Sequence, residues 1–87
     1  MRMTIVKSDT FVAIDGLGFN GIDMSNLSSD FHALQWYETF GNLELIDPVT
    51  RVMRNETVDN LAPYEPQIAG WNAKKAEHDA AQVANND

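Results

Sequence analysis

Phe31–Asp47, FHALQWYETFGNLELID, decides the fold. It reads as two short strands joined by a turn. Strand side chains alternate with period two, so His32, Leu34 and Trp36 point one way and Phe31, Ala33 and Gln35 the other. Thr39-Phe40-Gly41-Asn42 is the predicted turn. Gly41 can take positive φ without steric cost, and Asn42 tolerates it better than most residues. Leu43 and Leu45 then share one face of the return strand, and Glu44 and Ile46 the other.

On the N-terminal side, Met3–Lys7 (MTIVK) and Thr10–Ile14 (TFVAI) are rich in β-branched and aromatic residues. They predict a hairpin closed at Ser8-Asp9. Asp15–Gly21 (DGLGFNG) holds three of the five glycines. Asp15-Gly16 is a strong turn dipeptide. The spacing matches neither G-x-x-x-x-G-K nor G-x-G-x-x-G ahead of a helix, so a phosphate loop is not expected. Phe19 is expected to tuck back onto the hairpin. Ile22-Asp23-Met24 reads as a short extended piece. Ser25–Asp30 reads as a loop or a single 3₁₀ turn, with Leu27 as its apolar peg.

On the C-terminal side, Asp47-Pro48 ends the central hairpin, because proline cannot donate to a ladder. Val49–Val58 is expected to hold another strand around Arg51–Arg54. Asp59–Ala62 leads into a helix. Pro63 and Pro66 suit a first turn, and Glu65 suits the positive end of the helix dipole. Tyr64, Ile68 and Trp71 recur at i, i+4 and i+7 and share one face. Gly70 costs about 1 kcal/mol relative to alanine, which predicts close approach to the sheet. Trp36 is expected to pack under Ile68 and Trp71 and lock helix to sheet. After Trp71 the large apolar residues stop, so Lys74–Ala84 predicts a solvated helix end. Asn85–Asp87 predicts a loose tail. The fold class is α+β: one domain over residues 1–84, an antiparallel sheet of four or five short strands, and one C-terminal helix packed on it.

The formal charge is −7, from thirteen acids against six bases. Nucleic acid and anionic membranes both call for a basic face, so neither is expected as a partner. The acids are scattered and form no run that would mimic DNA. The sequence has no cysteine, which removes disulfide and thiolate–metal staples. A small core without staples often gains stability from a partner or from self-association. No apolar stretch follows Arg2, and no run approaches the ~20 residues of a membrane span. A soluble, intracellular protein is expected.

Candidate chemistry is sparse. His32 and His78 are the two histidines. Glu77 and Asp79 flank His78, but adjacent helical positions diverge and cannot converge on one ion. No serine sits in a G-x-S-x-G turn. Asp23, Asp30, Glu44 and Asp47 have no fixed separation and read as solvated surface acids. The sequence predicts no catalytic residue, metal or cofactor, and a protein that is not an enzyme. The aromatics are the main apolar resource, each able to bury roughly 150–250 Å². Trp36, Tyr64, Ile68 and Trp71 are the expected core. Tyr37 and Phe40, beside the turn, are interface candidates. Arg51 and Arg54, half of the basic residues ahead of the C-terminal third, join them.

Two stretches carry a resemblance: VAIDGLGFNGIDMSNLSSDFHALQWYETFGNLELID and NETVDNLAPYEPQIAGWNAKK. Together they resemble a group of small proteins and N-terminal segments encoded by tailed bacteriophages, found among tail and tail-fibre genes. The match runs from about Val12 to Lys75. It rests on His32-Ala33-Leu34-Gln35-Trp36, Gly41, Leu43-Glu44, Asn55-Glu56, Leu61, Tyr64, Trp71 and Lys74-Lys75. The resemblance implies a small structural or assembly protein, an adaptor at tail fibre or baseplate that acts by protein–protein contact. It implies phage tail or fibre proteins as partners, multiple copies in a symmetric assembly or a homo-oligomer, and passage from host cytoplasm to virion. The alternative is a phage-encoded inhibitor that meets a basic host protein through its acidic surface.

Overall fold

The computed structural model describes the backbone of residues 1–85 and the side-chain surroundings of residues 1–81. In chain order the elements are β1 (Arg2–Val6), β2 (Phe11–Ile14), β3 (Leu17–Phe19), β4 (Phe31–Tyr37), β5 (Phe40–Ile46), β6 (Met53–Val58) and α1 (Glu65–Asn85). A 3₁₀ turn at Lys7–Asp9 joins β1 to β2, and another at Ala62–Tyr64 leads into α1. The strands form one antiparallel sheet in the order β3-β2-β1-β4-β5-β6. The fold is therefore α+β, with six strands rather than four or five. The tail expected at 85–87 begins at the last helical residue, and 86–87 lie outside the described residues.

The additional strand is β3. Ile14 pairs with Leu17, so Asp15-Gly16 is a two-residue hairpin loop. Both residues have positive φ, 50° and 88°, as a type I′ turn requires. The turn is where the sequence predicts it. The Leu-Gly-Phe that follows is too short to show an alternation. Left-handed residues recur at the other reversals: Thr10 (φ 49°) between β1 and β2, Glu38 (61°) between β4 and β5, and Arg51 (63°) between β5 and β6.

The central hairpin differs from expectation in two places. Tyr37 pairs with Phe40, so the loop is Glu38-Thr39 and Phe40–Asn42 belong to β5. Gly41 lies opposite Trp36 within the sheet. A Cβ there would stand 2.9 Å from the Trp36 ring and 3.1 Å from Leu34 Cδ1. The glycine makes room for an indole and is not part of the turn. The second difference is a β-bulge. Phe31 pairs with Leu45 and Ala33 with Glu44, so His32 is the extra residue. The bulge turns Phe31 onto the face of Leu34 and Trp36, opposite to the simple alternation. There its ring stands 6.1 Å from that of Tyr64.

β6 begins later than expected, at Met53, and Arg51 sits in the preceding loop. The cause is Asp47. Its carboxylate accepts the N–H groups of Val49 (2.8 Å) and Thr50 (2.9 Å), and its carbonyl accepts that of Arg51 (2.9 Å). That organised loop delays pairing until Val52, whose carbonyl accepts the Asp47 N–H at 3.0 Å.

One face of the sheet carries the core. Met3, Ile5, Val12, Ile14, Leu34, Trp36, Leu43 and Leu45 are buried there, with Ile22 and Met24 from the segment after β3 and Tyr64 and Trp71 above them. Trp71 packs on Phe19 with ring centroids 6.0 Å apart and donates its indole N–H to the Leu17 carbonyl at 2.8 Å. Leu17, Ile14, Met3 and Trp36 lie in one row across the sheet. Two strands thus separate Trp36 from the carbonyl that anchors Trp71, and the expected packing of Trp36 under Trp71 gives way to Phe19. Ile68 is half-buried against the core. Gly70 makes a close approach, but to Ile22: a Cβ would lie 2.9 Å from Ile22 Cγ2.

The helix stripe contains one residue that the apolar pattern omits. Gln67 is fully buried. Its Nε2 donates to the Asp23 carbonyl (2.9 Å) and to Asn26 Oδ1 (2.6 Å), and Asn26 Nδ2 returns a bond to Gln67 Oε1 (3.3 Å). This amide pair ties the helix to the loop that completes the core lid. Gln67→Leu is expected to lose about 1–3 kcal/mol in urea denaturation, because the Asp23 carbonyl and Asn26 Oδ1 would both lose the Gln67 amide that bonds them. Gly41→Ala is expected to lose a similar amount, about 1–3 kcal/mol, by driving a methyl into Trp36.

Candidate protein-contact surface

The face opposite the helix is formed by the other half of each strand. Pairing registers define its rows. One row is Gly18–Ala13–Thr4–Gln35–Asn42–Thr57, and the next is Phe11–Val6–Ala33–Glu44–Asn55. Arg2, Tyr37 and Phe40 form a third row at the Glu38-Thr39 end. Ile46 and Met53 pair at the opposite end. Among the described residues no second layer covers this face.

Its most organised part is the aromatic end. Tyr37 and Phe40 are cross-strand neighbours with ring centroids 5.6 Å apart, and Phe40 is 45% exposed. The Arg2 guanidinium lies 5.2 Å from the Tyr37 ring centroid, within cation–π range. The Arg2 backbone is held from the other side: its N–H donates to Asp15 Oδ1 and its carbonyl accepts the Asp15 N–H, both at 2.9 Å. Beside this lip runs a shallow cavity of about 310 Å³, bordered by Arg2, Thr4, Ala13, Gln35 and Tyr37. Its floor is polar, with the Thr4 hydroxyl donating to Gln35 Oε1 at 2.7 Å. Phe11 lies across Gly18, whose Cβ would otherwise stand 2.4–2.5 Å from the ring. A guanidinium, two tilted rings in contact, and the polar groups of Gln35 and Thr4 suit the recognition of a protein surface.

The other sequence-predicted positions are distributed elsewhere. Trp36, Tyr64 and Trp71 are buried on the helix side of the sheet. Arg51 is exposed in the β5–β6 loop. Arg54, on β6, reaches Asp30 at 3.2 Å and Glu56 at 3.5 Å. Tyr37 and Phe40 come together as neighbours, while Arg51 and Arg54 lie at the far edge of the sheet. Arg2, Phe11, Thr4 and Gln35 carry no motif that marks them in the sequence as one surface. They meet only through the β2-β1-β4 order, and within each strand alternation alone places them on this face. The two histidines do not converge: His32 occupies the bulge, and His78 stands edge-on to Phe19 at 5.8 Å. Among the described residues no group of three histidines or carboxylates has metal-binding spacing. No protein-family model matches the chain, and no curated protein or solved structure matches it.

The acids that titrate abnormally are loop organisers. Asp47 is held below the ordinary carboxylate value of 3.8 by the backbone N–H groups of Thr50 and Val49. Asp30 is lowered by the Ser28 hydroxyl and then by Arg54, and Asp23 by the N–H and side chain of Ser25. Burial, with a smaller contribution from Glu56, pushes the Tyr64 phenol above its usual 10.0. A carboxylate with a depressed folded-state pKa stabilises the fold above its unfolded value and ceases to do so as pH falls through the folded one. The melting temperature is therefore expected to decline with acid below pH 3.8 as these three groups take up protons. Asp47→Ala should melt lower at neutral pH and show a shallower acid decline in a thermal-melt series.

Proposed function

We propose that this chain works by protein–protein contact, as a small structural or assembly component of a bacteriophage tail. The observation that carries the reading is the aromatic end of the uncovered sheet face. Tyr37, Phe40 and Arg2 form an anchor of the kind that dominates protein interfaces, beside a groove whose polar groups can fix orientation. Phe40 is 45% exposed, and a large apolar ring left in water beside a second one supports this reading. The nature of the partner rests on the resemblance of the HALQW and following motifs to tail-associated phage proteins. The partner is accordingly a tail-fibre or baseplate protein. The chain would act in the host cytoplasm during assembly and then in the virion. No described helix is long and apolar enough to cross a membrane.

The test is particle composition joined to mutagenesis. Mass spectrometry of purified particles is expected to find the chain at a fixed ratio to a tail protein. Tyr37→Ala and Phe40→Ala should each melt close to the wild type, since neither ring belongs to the core. Each should weaken binding to the isolated tail protein by about tenfold or more. Unchanged incorporation of both variants would overturn the assignment of this face.

A further inference from the structure

β6 is exposed along Met53–Thr57 and becomes half-buried only at Val58. It is also an end strand, so among the described residues its outer edge has no ladder partner. Natural sheets blunt such edges with short strands, bulges, proline or charged side chains, lysine above all; the charges on β6, Arg54 and Glu56, are of opposite sign. Here the edge runs six residues with a regular register to β5 and contains neither lysine nor proline. We propose that β6 pairs with β6 of a second copy of this chain, antiparallel, about a two-fold axis at Asn55.

Three observations select that occupant and that axis. The first is hydrogen-bond parity. Asp47 N–H bonds to the Val52 carbonyl, and the register runs from Ile46–Met53 to Gly41–Val58. Val52, Arg54, Glu56 and Val58 therefore direct their backbone groups at β5. Met53, Asn55 and Thr57 direct theirs outward. A two-fold axis at Asn55 sets outward groups against outward groups: Asn55 against Asn55, and Met53 against Thr57 on both sides. About six backbone hydrogen bonds result.

The second observation is charge. Read against itself about Asn55, the stretch RVMRNETVD places Arg54 opposite Glu56, Arg51 opposite Asp59 and Val52 opposite Val58. Arg54 and Glu56 fall in the closer, non-hydrogen-bonded spacing, where side chains interact most strongly. Moving the axis by one residue, to Arg54 or to Glu56, keeps the parity but sets like charges face to face. Half-steps break the parity. Only the Asn55 axis satisfies both conditions at the centre of the strand.

The third is placement. Arg54 and Glu56 both stand exposed on the helix side of the sheet, Arg54 turned inward to Asp30 at 3.2 Å and to Glu56 at 3.5 Å, so the second copy's Glu56 and Arg54 would meet them on that same face. The axis runs normal to the sheet. It joins two six-stranded sheets into one of twelve, with both helices on one side and both open faces on the other. This edge is separate from the Tyr37–Phe40 end, so the pairing and the proposed partner site can each fail alone.

Sedimentation equilibrium of the full chain over a concentration series tests the pairing, with circular dichroism as the fold control. The wild type is expected to show a monomer–dimer equilibrium. Arg54→Glu and Glu56→Arg each put two like-charged pairs at the junction and should weaken the dimer about tenfold or more. An equimolar mixture of the two variants restores opposite charges at both positions and should form a one-to-one dimer. The double variant R54E/E56R should pair with itself. Tyr37→Ala should dimerise as the wild type does. A wild type that stays monomeric throughout, single variants that dimerise undiminished, or a mixture that stays monomeric would each overturn the proposal.

Discussion

A single helix is too narrow for this sheet. Six strands at ~4.8 Å spacing span roughly 24 Å, and a helix with its side chains covers ~10 Å. The chain places α1 over β2 and β3, where Trp71 meets Phe19 and Leu17. The next part of the core is roofed by Ile22, Met24 and Tyr64 from irregular segments. By β6 the roof has run out, and Arg54 and Glu56 stand in solvent on the core side. The mismatch of widths leaves the core side of the terminal strand bare, and the placement of the one helix on a single face leaves the other face open.

An irregular roof needs its own cohesion, because loop backbone groups close to a core must find partners. The Gln67–Asn26 amide pair supplies it, joining helix to loop with bonds that leave the buried amide satisfied. Gly70 lets Ile22 seat against the helix from the same loop. Polar clasp and apolar contact thereby act on one segment from adjacent turns of α1. The lid is as much a product of the helix sequence as of its own.

Much of the architecture is legible in strand alternation, in Asp15-Gly16 and in the Tyr64–Ile68–Trp71 spacing. What is not legible has identifiable causes. Gly41 sits next to a reversal, and nothing local distinguishes a glycine that bends the chain from one that admits an indole. Phe31 lies beyond a bulge, and period two assumes that no residue is added. Gln67 occupies a stripe position, yet an amide there reads as surface until its loop partner is known. Asp47 delays β6 through bonds from its side chain to the backbone, which propensity does not describe. On the open face, Tyr37 and Phe40 are visible as neighbours of a turn. Arg2 and Phe11 belong to the same surface only by virtue of a strand order that one sequence does not encode in any local pattern.

The reversals at Thr10, Glu38 and Arg51 share a backbone cost. Each places an ordinary L-residue in the left-handed region, which disfavours side chains by roughly 1–2 kcal/mol. Thr10, being β-branched, is the least suited of the three. Glycine would relieve that cost, but the Thr10 hydroxyl accepts the Gly21 N–H at 3.0 Å and donates to the Asp9 carbonyl at 2.7 Å, bonds that glycine would forfeit. The reversal at Thr10 thus trades backbone ease for a clasp on the segment that carries Ile22 into the core, and the Ile22 N–H itself bonds to the Thr10 carbonyl at 3.0 Å.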